Sequence, residues 1–189
     1  MRIEWNAVGD DPGPAAASNA VDLLLHENRL LSMATMSRQG TPWANNAYFA
    51  HDAAGPGLDL YFLTRPGGRH GVNLDESAGA AAVTVTDSTQ QGIPGTRRGL
   101  QLRGVCARAA GARLDRGAAV FAARFPAAAA HAAAALAGLP ELAAESPRLY
   151  VFSATEVKLF CEPALGTEIW LTGRIAVPAP PAPDSAMSA

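Results

Sequence analysis

A hydroxyl, a guanidinium and an imidazole fall close together at Thr64, Arg69 and His70, on either side of the breaker Pro66-Gly67-Gly68. A glycine turn that opens into a helix leaves several backbone N–H groups pointing one way, with the positive helix end behind them. Together with those side chains it forms a donor-rich hollow suited to an anion, a phosphate first of all. A solvated turn whose arginine meets only water is the competing reading. Asn45 and Asn46 are the second unusual feature, since asparagine is depleted in strands and these sit in the run Trp43-Ala44-Asn45-Asn46-Ala47-Tyr48-Phe49. An amide both donates and accepts, so the pair suits a ligand with a mixed hydrogen-bonding edge, or else ties down a neighbouring loop. No nucleophile sits beside a base and no carboxylates cluster, so hydrolysis lacks machinery and no catalytic acid or base can be assigned. His26, His51, His70 and His131 have no metal spacing, and Cys106 and Cys161 form no CxxC, so neither a metal site nor a disulfide framework is expected.

The elements that must position these residues read mostly as short strands. Leu58 to Thr64 and Ala80 to Thr86 are apolar and rich in β-branched or aromatic residues, and Arg69 to Glu76 fits two turns of helix between them. Ahead of them, Met1 to Ala17 is expected to be loose, and Ser18 to cap a helix from Asn19 to Asn28. Leu30 to Met36 reads as a strand, Ser37 to Gly40 as its turn, and Thr41 to His51 as the next strand. Alternation puts Trp43, Asn45, Ala47 and Phe49 on one face, and Ala44, Asn46 and Tyr48 on the other.

Downstream, the polar loop Asp87 to Thr96 is long enough to lie over a site. The strand Arg97 to Ala107 has Leu100, Leu102 and Val105 as its apolar part, with Gln101 and Arg103 opposite and Gly104 permitting a close approach. Ala110 to Ala137 is helical and broken at Phe125-Pro126. A connector from Leu139 to Pro147, a strand from Leu149 to Phe160 and a short strand from Glu168 to Leu171 follow. The Pro/Ala-rich tail past Arg174 is expected to be disordered.

At 189 residues, the chain is expected to form one domain over 18–174, between a flexible 1–17 and a disordered 175–189. A net charge of -2 offers no global pull toward nucleic acid or anionic lipid, and neither partner is expected. No apolar run is long enough to span a membrane and no secretory pattern opens the sequence, so a cytoplasmic location is expected. Consecutive short strands with tight turns are best satisfied by closure. The fold class is therefore mainly β, an antiparallel closed or split barrel with peripheral helices.

Five segments, in order, carry a resemblance. They are Leu31-Ser32-Met33-Ala34-Thr35; Gln39-Gly40-Thr41-Pro42; Trp43 to Phe49; Tyr61-Phe62-Leu63-Thr64 with Arg69-His70; and Arg98-Gly99-Leu100-Gln101-Leu102-Arg103-Gly104. On these the chain resembles the pyridoxamine 5′-phosphate oxidase-like, FMN-binding split-barrel superfamily, from about Val21 to Leu171. It looks closest to a small branch that also carries Arg124-Phe125-Pro126. The resemblance implies FMN as cofactor, its phosphate held by Thr64, Arg69 and His70. It implies that the strand bearing Trp43, Asn45 and Asn46 lies along the isoalloxazine, with Gln101 bordering it. It also implies a homodimer whose partner supplies an aromatic from near the C-terminus, Phe160 or Trp170.

The chain departs from the vitamin B6 oxidases of the superfamily. Where they carry an Arg-x-His substrate clamp, it has Ala164-Leu165-Gly166-Thr167-Glu168, and His70 replaces their lysine. The expected function is a small FMN-dependent oxidoreductase acting on an unidentified small metabolite by hydride transfer at flavin N5. The alternatives are a flavin- or haem-binding carrier or sensor, or a reductase using the deazaflavin F420, since relatives on this scaffold bind all three cofactors.

Overall fold

The computed structural model describes residues 1–6, 13–87, 89–90, 92–139 and 146–176. In chain order the elements are β1 (Ile3–Asn6), α1 (Pro14–Glu27), β2 (Leu30–Met36), β3 (Pro42–Asp52), β4 (Leu58–Thr64), α2 (Arg69–Glu76) and β5 (Ala80–Thr86). They continue with β6 (Arg98–Arg108), α3 (Ala112–Arg124), α4 (Pro126–His131), α5 (Ala133–Leu136), β7 (Arg148–Cys161), α6 (Glu162–Leu165) and β8 (Trp170–Ile175). Every strand pairing is antiparallel, in the order β1-β8-β7-β4-β3-β2-β5-β6, and a further β6–β7 pairing closes six of the strands into a barrel. β8 and β1 extend the sheet outside the closure.

The barrel is possible because β7 changes partner halfway. Residues 148–154 pair with β4, and residues 156–160 pair with β8. Between them a bulge shifts the β6–β7 register at Arg103/Gly104, so Thr155 faces no partner and its hydroxyl donates to the Arg103 carbonyl at 3.2 Å. A bulge adds one residue and reverses which residues point inward. Tyr150, Phe152 and Ala154 fill the barrel before it, and Val157, Leu159 and Cys161 after it. Gly104 is required here, since a Cβ would lie 2.1 Å from the Ser153 carbonyl oxygen.

The interior is packed with Leu31, Met33, Phe49, Leu60, Phe62 and Leu100 among others, and α1 lays Ala17, Ala20, Val21, Leu24 and Leu25 against the same core. That spacing gives one apolar helix face. A second cluster lies outside β4 and β7, where Phe121 and Leu136 of the helical segment meet Tyr61, Leu149 and Val151. Among the described residues, the opposite outer face, over β2, β5, β6 and β8, has no such apolar cluster over it.

Four expectations are corrected. Residues 1–17 are not loose throughout: Ile3–Asn6 pairs with β8, and the helix starts at Pro14, whose ring suits a first helical position, not after Ser18. Ser18 instead accepts a hydrogen bond from Trp5 Nε1 at 3.2 Å. In β6 the inward position belongs to Cys106, and Val105 is exposed, because Val105 has the wrong parity relative to Leu100 and Leu102. The last strand is Trp170–Ile175, preceded by α6, with Glu168 held at φ 61 in the turn. Asp10 to Pro12, residues 140–145 of the connector and residues 177–189 of the tail lie outside the described residues.

Candidate functional site

The β3–β4 ladder ends at Phe49↔Phe62, so the first half of β3 pairs only with β2 and the end of β4 only with β7. This is the split in the barrel, and α2 follows directly from it. Turn residues fix the entry: Gly68 N–H donates to the Arg65 carbonyl at 3.2 Å, and a Cβ on Gly71 would meet the Pro66 oxygen at 2.2 Å. Asn73 is buried and donates from Nδ2 to Thr35 Oγ1 at 3.0 Å, which fixes α2 to the inner face of β2. No side chain caps the N-terminus of α2. Its first N–H groups are therefore open to a ligand, and the helix dipole favours a negative one.

Three of the expected residues stand at that opening, and a fourth, Asn45, lies on the inner face of β3. The Thr64 hydroxyl is in hydrogen-bond contact with His70 Nε2. Burial holds the His70 imidazole below the usual histidine value, so at neutral pH it is an uncharged donor or acceptor. Arg69 is exposed, and its guanidinium has no ion pair or hydrogen bond among the described residues. Asn45 lies on the inner face opposite Met33, and its Oδ1 is buried without a hydrogen-bond partner among the described residues. An orphaned buried acceptor is costly unless a ligand or water completes it. The donors at the α2 entry would suit the phosphate of FMN. Trp43 shares the Asn45 face, opposite Thr35, and remains half exposed at the barrel's end.

The other expected residues stand elsewhere. Asn46 points to the outer face, where its Oδ1 accepts from Ser32 Oγ at 2.5 Å. From Ser32 the register runs straight across the sheet through Thr84, Gln101, Lys158 and Thr172 to Asn6, a polar row along an outer groove of about 590 Å3. Phe160 and Trp170 are cross-strand partners beside this row, and the Lys158 ammonium sits 5.1 Å from the Trp170 ring centroid. Within one chain, then, Thr64, Arg69 and His70 gather at the split, Asn45 lies on the inner face of the part of β3 that has no β4 partner, and Asn46, Gln101, Phe160 and Trp170 share the outer face.

A family model for pyridoxamine 5′-phosphate oxidase matches residues 17–159, three quarters of the chain. The chain belongs to the pyridoxamine 5′-phosphate oxidase family. A haem-binding protein from Mycobacterium smegmatis superposes with a TM-score of 0.61 at 20% identity, covering 86% of this chain and 59% of that one. HutZ, the haem storage protein of Vibrio cholerae, gives 0.54 at 19% identity, covering 77% and 94%. A Clostridium acetobutylicum protein of the pyridoxinephosphate oxidase family, related to general stress protein 26, gives 0.53 at 13%, covering 82% and 92%. At these identities the likeness concerns the split-barrel fold. A search of curated proteins returns no match.

The motif Arg124-Phe125-Pro126 has a structural task in this chain. Arg124 Nη2 donates to the carbonyls of Leu25 (2.9 Å), His26 (3.0 Å) and Asn28 (2.5 Å), and Nη1 to His51 Nδ1 (2.8 Å). A guanidinium thus closes the negative end of α1. Its burial and the neighbouring Arg29 hold it below the ordinary arginine value. Sequence reading missed Asn73 and Glu162. Glu162 is buried and accepts from Arg97 Nη2 at 2.6 Å and Nε at 3.1 Å, and from the N–H groups of Gly95 (2.7 Å) and Arg97 (3.1 Å), fixing the end of the loop that leads into β6. The signal for Asn73 was a polar residue in the apolar stripe of α2; for Glu162 there was none.

Among the described residues, no helix is long and apolar enough to cross a membrane. Among the same residues, no group of three or more His, Cys, Asp or Glu could hold a metal ion.

Proposed function

We propose that this chain binds FMN, with the phosphate in the cradle at the split, and serves as a small flavin-dependent oxidoreductase. The observation that carries this reading is the combination of an uncapped α2 N-terminus, unpaired Arg69, the Thr64–His70 pair and the orphaned Asn45 acceptor. Bound flavin would supply hydride transfer at N5. The chain's own part is to anchor and orient: Arg69 and the α2 N–H groups fix the anion, Thr64 and His70 fix one another, and the barrel wall keeps water from that side.

The same reading includes a homodimer. Leu30, Met36, Val105 and Trp170 are all exposed on the outer face that also holds Asn46 and Gln101. Large apolar residues concentrated on one sheet face favour a self-complementary partner. A second copy seated there would bring Gln101, Phe160 and Trp170 toward the other chain's split, which joins the two groups of expected residues into one site.

Haem is the second reading, favoured by the two haem-binding proteins among the structural neighbours. F420 and a carrier or sensor role fit the same scaffold. Reconstitution with equimolar FMN and haemin, followed by a visible spectrum of the desalted protein, separates them. Retained flavin bands support the proposal; a Soret band without flavin contradicts it.

A further inference from the structure

Across β4 from the anion cradle lies an apolar cleft of about 480 Å3 lined by Leu63, Tyr48, Phe121, Phe125, Ala128 and Arg29. Leu63 and Thr64 are successive residues of one strand, so the cleft and the cradle occupy opposite sides of the same backbone at the split. Its walls are aromatic: Phe125 meets Tyr48 edge-on at 5.9 Å and Phe121 at 5.1 Å. Such walls favour a flat or branched apolar body.

Two cations border the cleft, and only one is available. The guanidinium of Arg124 spends its hydrogen bonds on three carbonyls of the α1 terminus and on His51. Arg29 lies 5.8 Å from the Phe125 centroid, exposed, with no hydrogen bond or ion pair from its guanidinium among the described residues. The Tyr48 hydroxyl, on a side chain 61% exposed, is also unpaired among the described residues. One free guanidinium and one phenol match a single carboxylate; a phosphate dianion would need more fixed donors.

We propose that this cleft binds a small aromatic or branched monocarboxylate, the carboxylate on Arg29 and Tyr48 and the apolar body against Phe125, Phe121 and Leu63. This deepens the flavin reading by naming a substrate class, and rests on it only for what is done with the acid. Binding itself needs no cofactor, so its test and the flavin test fail separately.

Phenylacetate and its neutral isostere phenylacetamide are titrated calorimetrically into the full-length, cofactor-free protein, with FMN titrated into a separate sample. Phenylacetate is expected to bind at least about tenfold more tightly than the amide, and Arg29→Gln to remove that preference without altering the thermal melt. Ala128→Trp, which fills the cleft from an exposed position, should abolish binding of both. Equal affinities for acid and amide, or a preference that survives Arg29→Gln, would overturn the proposal whatever FMN does. Tighter binding of phenyl phosphate than of phenylacetate would overturn the monocarboxylate assignment.

Discussion

At the scale of single residues, the account turns on which cations are already committed. Arg97, Arg98, Arg103, Arg113 and Arg116 are paired with Glu162, Glu27 and Asp87, Glu156, Asp59 and Asp52, and Arg124 with helix carbonyls. Arg69 has no such partner among the described residues, so an anion at the split finds it ready. Arg69→Ala should weaken FMN binding by about 1.5–3 kcal/mol, the usual worth of a charge-assisted hydrogen bond, as read by fluorescence titration of the apo-protein. His70→Ala should cost less, because burial keeps the imidazole neutral and its Nε2 is engaged by Thr64. Equal losses in the two variants would reverse these roles. The three polar types at this spot were legible from sequence, as their spacing around Pro66-Gly67-Gly68 leaves few other arrangements. The commitment of those six arginines was not, since each has a partner acid or carbonyl more than about fifty residues away in the chain.

At the scale of elements, two junctions govern the site. The first is the entry to α2, where Gly71 is forced by its neighbour rather than by its own backbone angles. Gly71→Ala would drive a methyl group into the Pro66 carbonyl, 2.2 Å from where its Cβ would stand. It should destabilise the fold by about 1–3 kcal/mol and remove FMN binding with it. Gly68→Ala meets the edge of the His70 ring at 3.0 Å and the Arg65 carbonyl oxygen at 3.3 Å and should be milder, as chemical denaturation of both variants would show.

The second junction is Glu162, whose hydrogen bonds to Arg97 first, and to backbone N–H groups after it, pull its carboxyl from 4.5 to about 2. A depressed carboxyl stabilises the fold fully above its ordinary value and loses that contribution as pH falls toward the folded one. Glu162→Gln should therefore be less stable than the native chain at neutral pH. The difference should shrink between about pH 4.5 and pH 2, which paired denaturation curves would reveal. A gap that stays constant across that range would remove Glu162 from the acid response. The strands β2, β4, β5 and the helix α2 were readable to the residue because periodicity and breakers agree there. The bulge at Thr155 and the strand β1 were not, because both depend on partners that the local pattern does not contain.

At the scale of the whole molecule, the split barrel leaves one sheet face uncovered by the described residues and divides the expected cofactor residues between that face and the barrel's inner side. The proposed homodimer would reunite them. Light scattering at micromolar concentration should give about twice the chain mass. A monomer that still binds one flavin per chain would contradict a two-chain site. The family's vitamin B6 chemistry is a separate matter. It needs a second dianion clamp, and Arg97, just before β6, is bound to Glu162, while the turn between α6 and β8 offers the carboxylate of Glu168. Pyridoxamine phosphate should give no oxygen-coupled turnover with the flavin-loaded protein. Steady turnover abolished by Arg97→Ala or Arg98→Ala would expose an unrecognised clamp.

The central claim is that the split recognises the cofactor by its phosphate, and comparing FMN with riboflavin tests it most directly. Both carry the same ring and ribityl chain, so any difference in affinity is the contribution of the anion cradle. Titrated into the apo-protein by flavin fluorescence, FMN should bind roughly ten- to a hundredfold more tightly than riboflavin, and Arg69→Ala should narrow that ratio. Equal affinity for the two flavins would contradict the account and move the cofactor away from Thr64, Arg69 and His70.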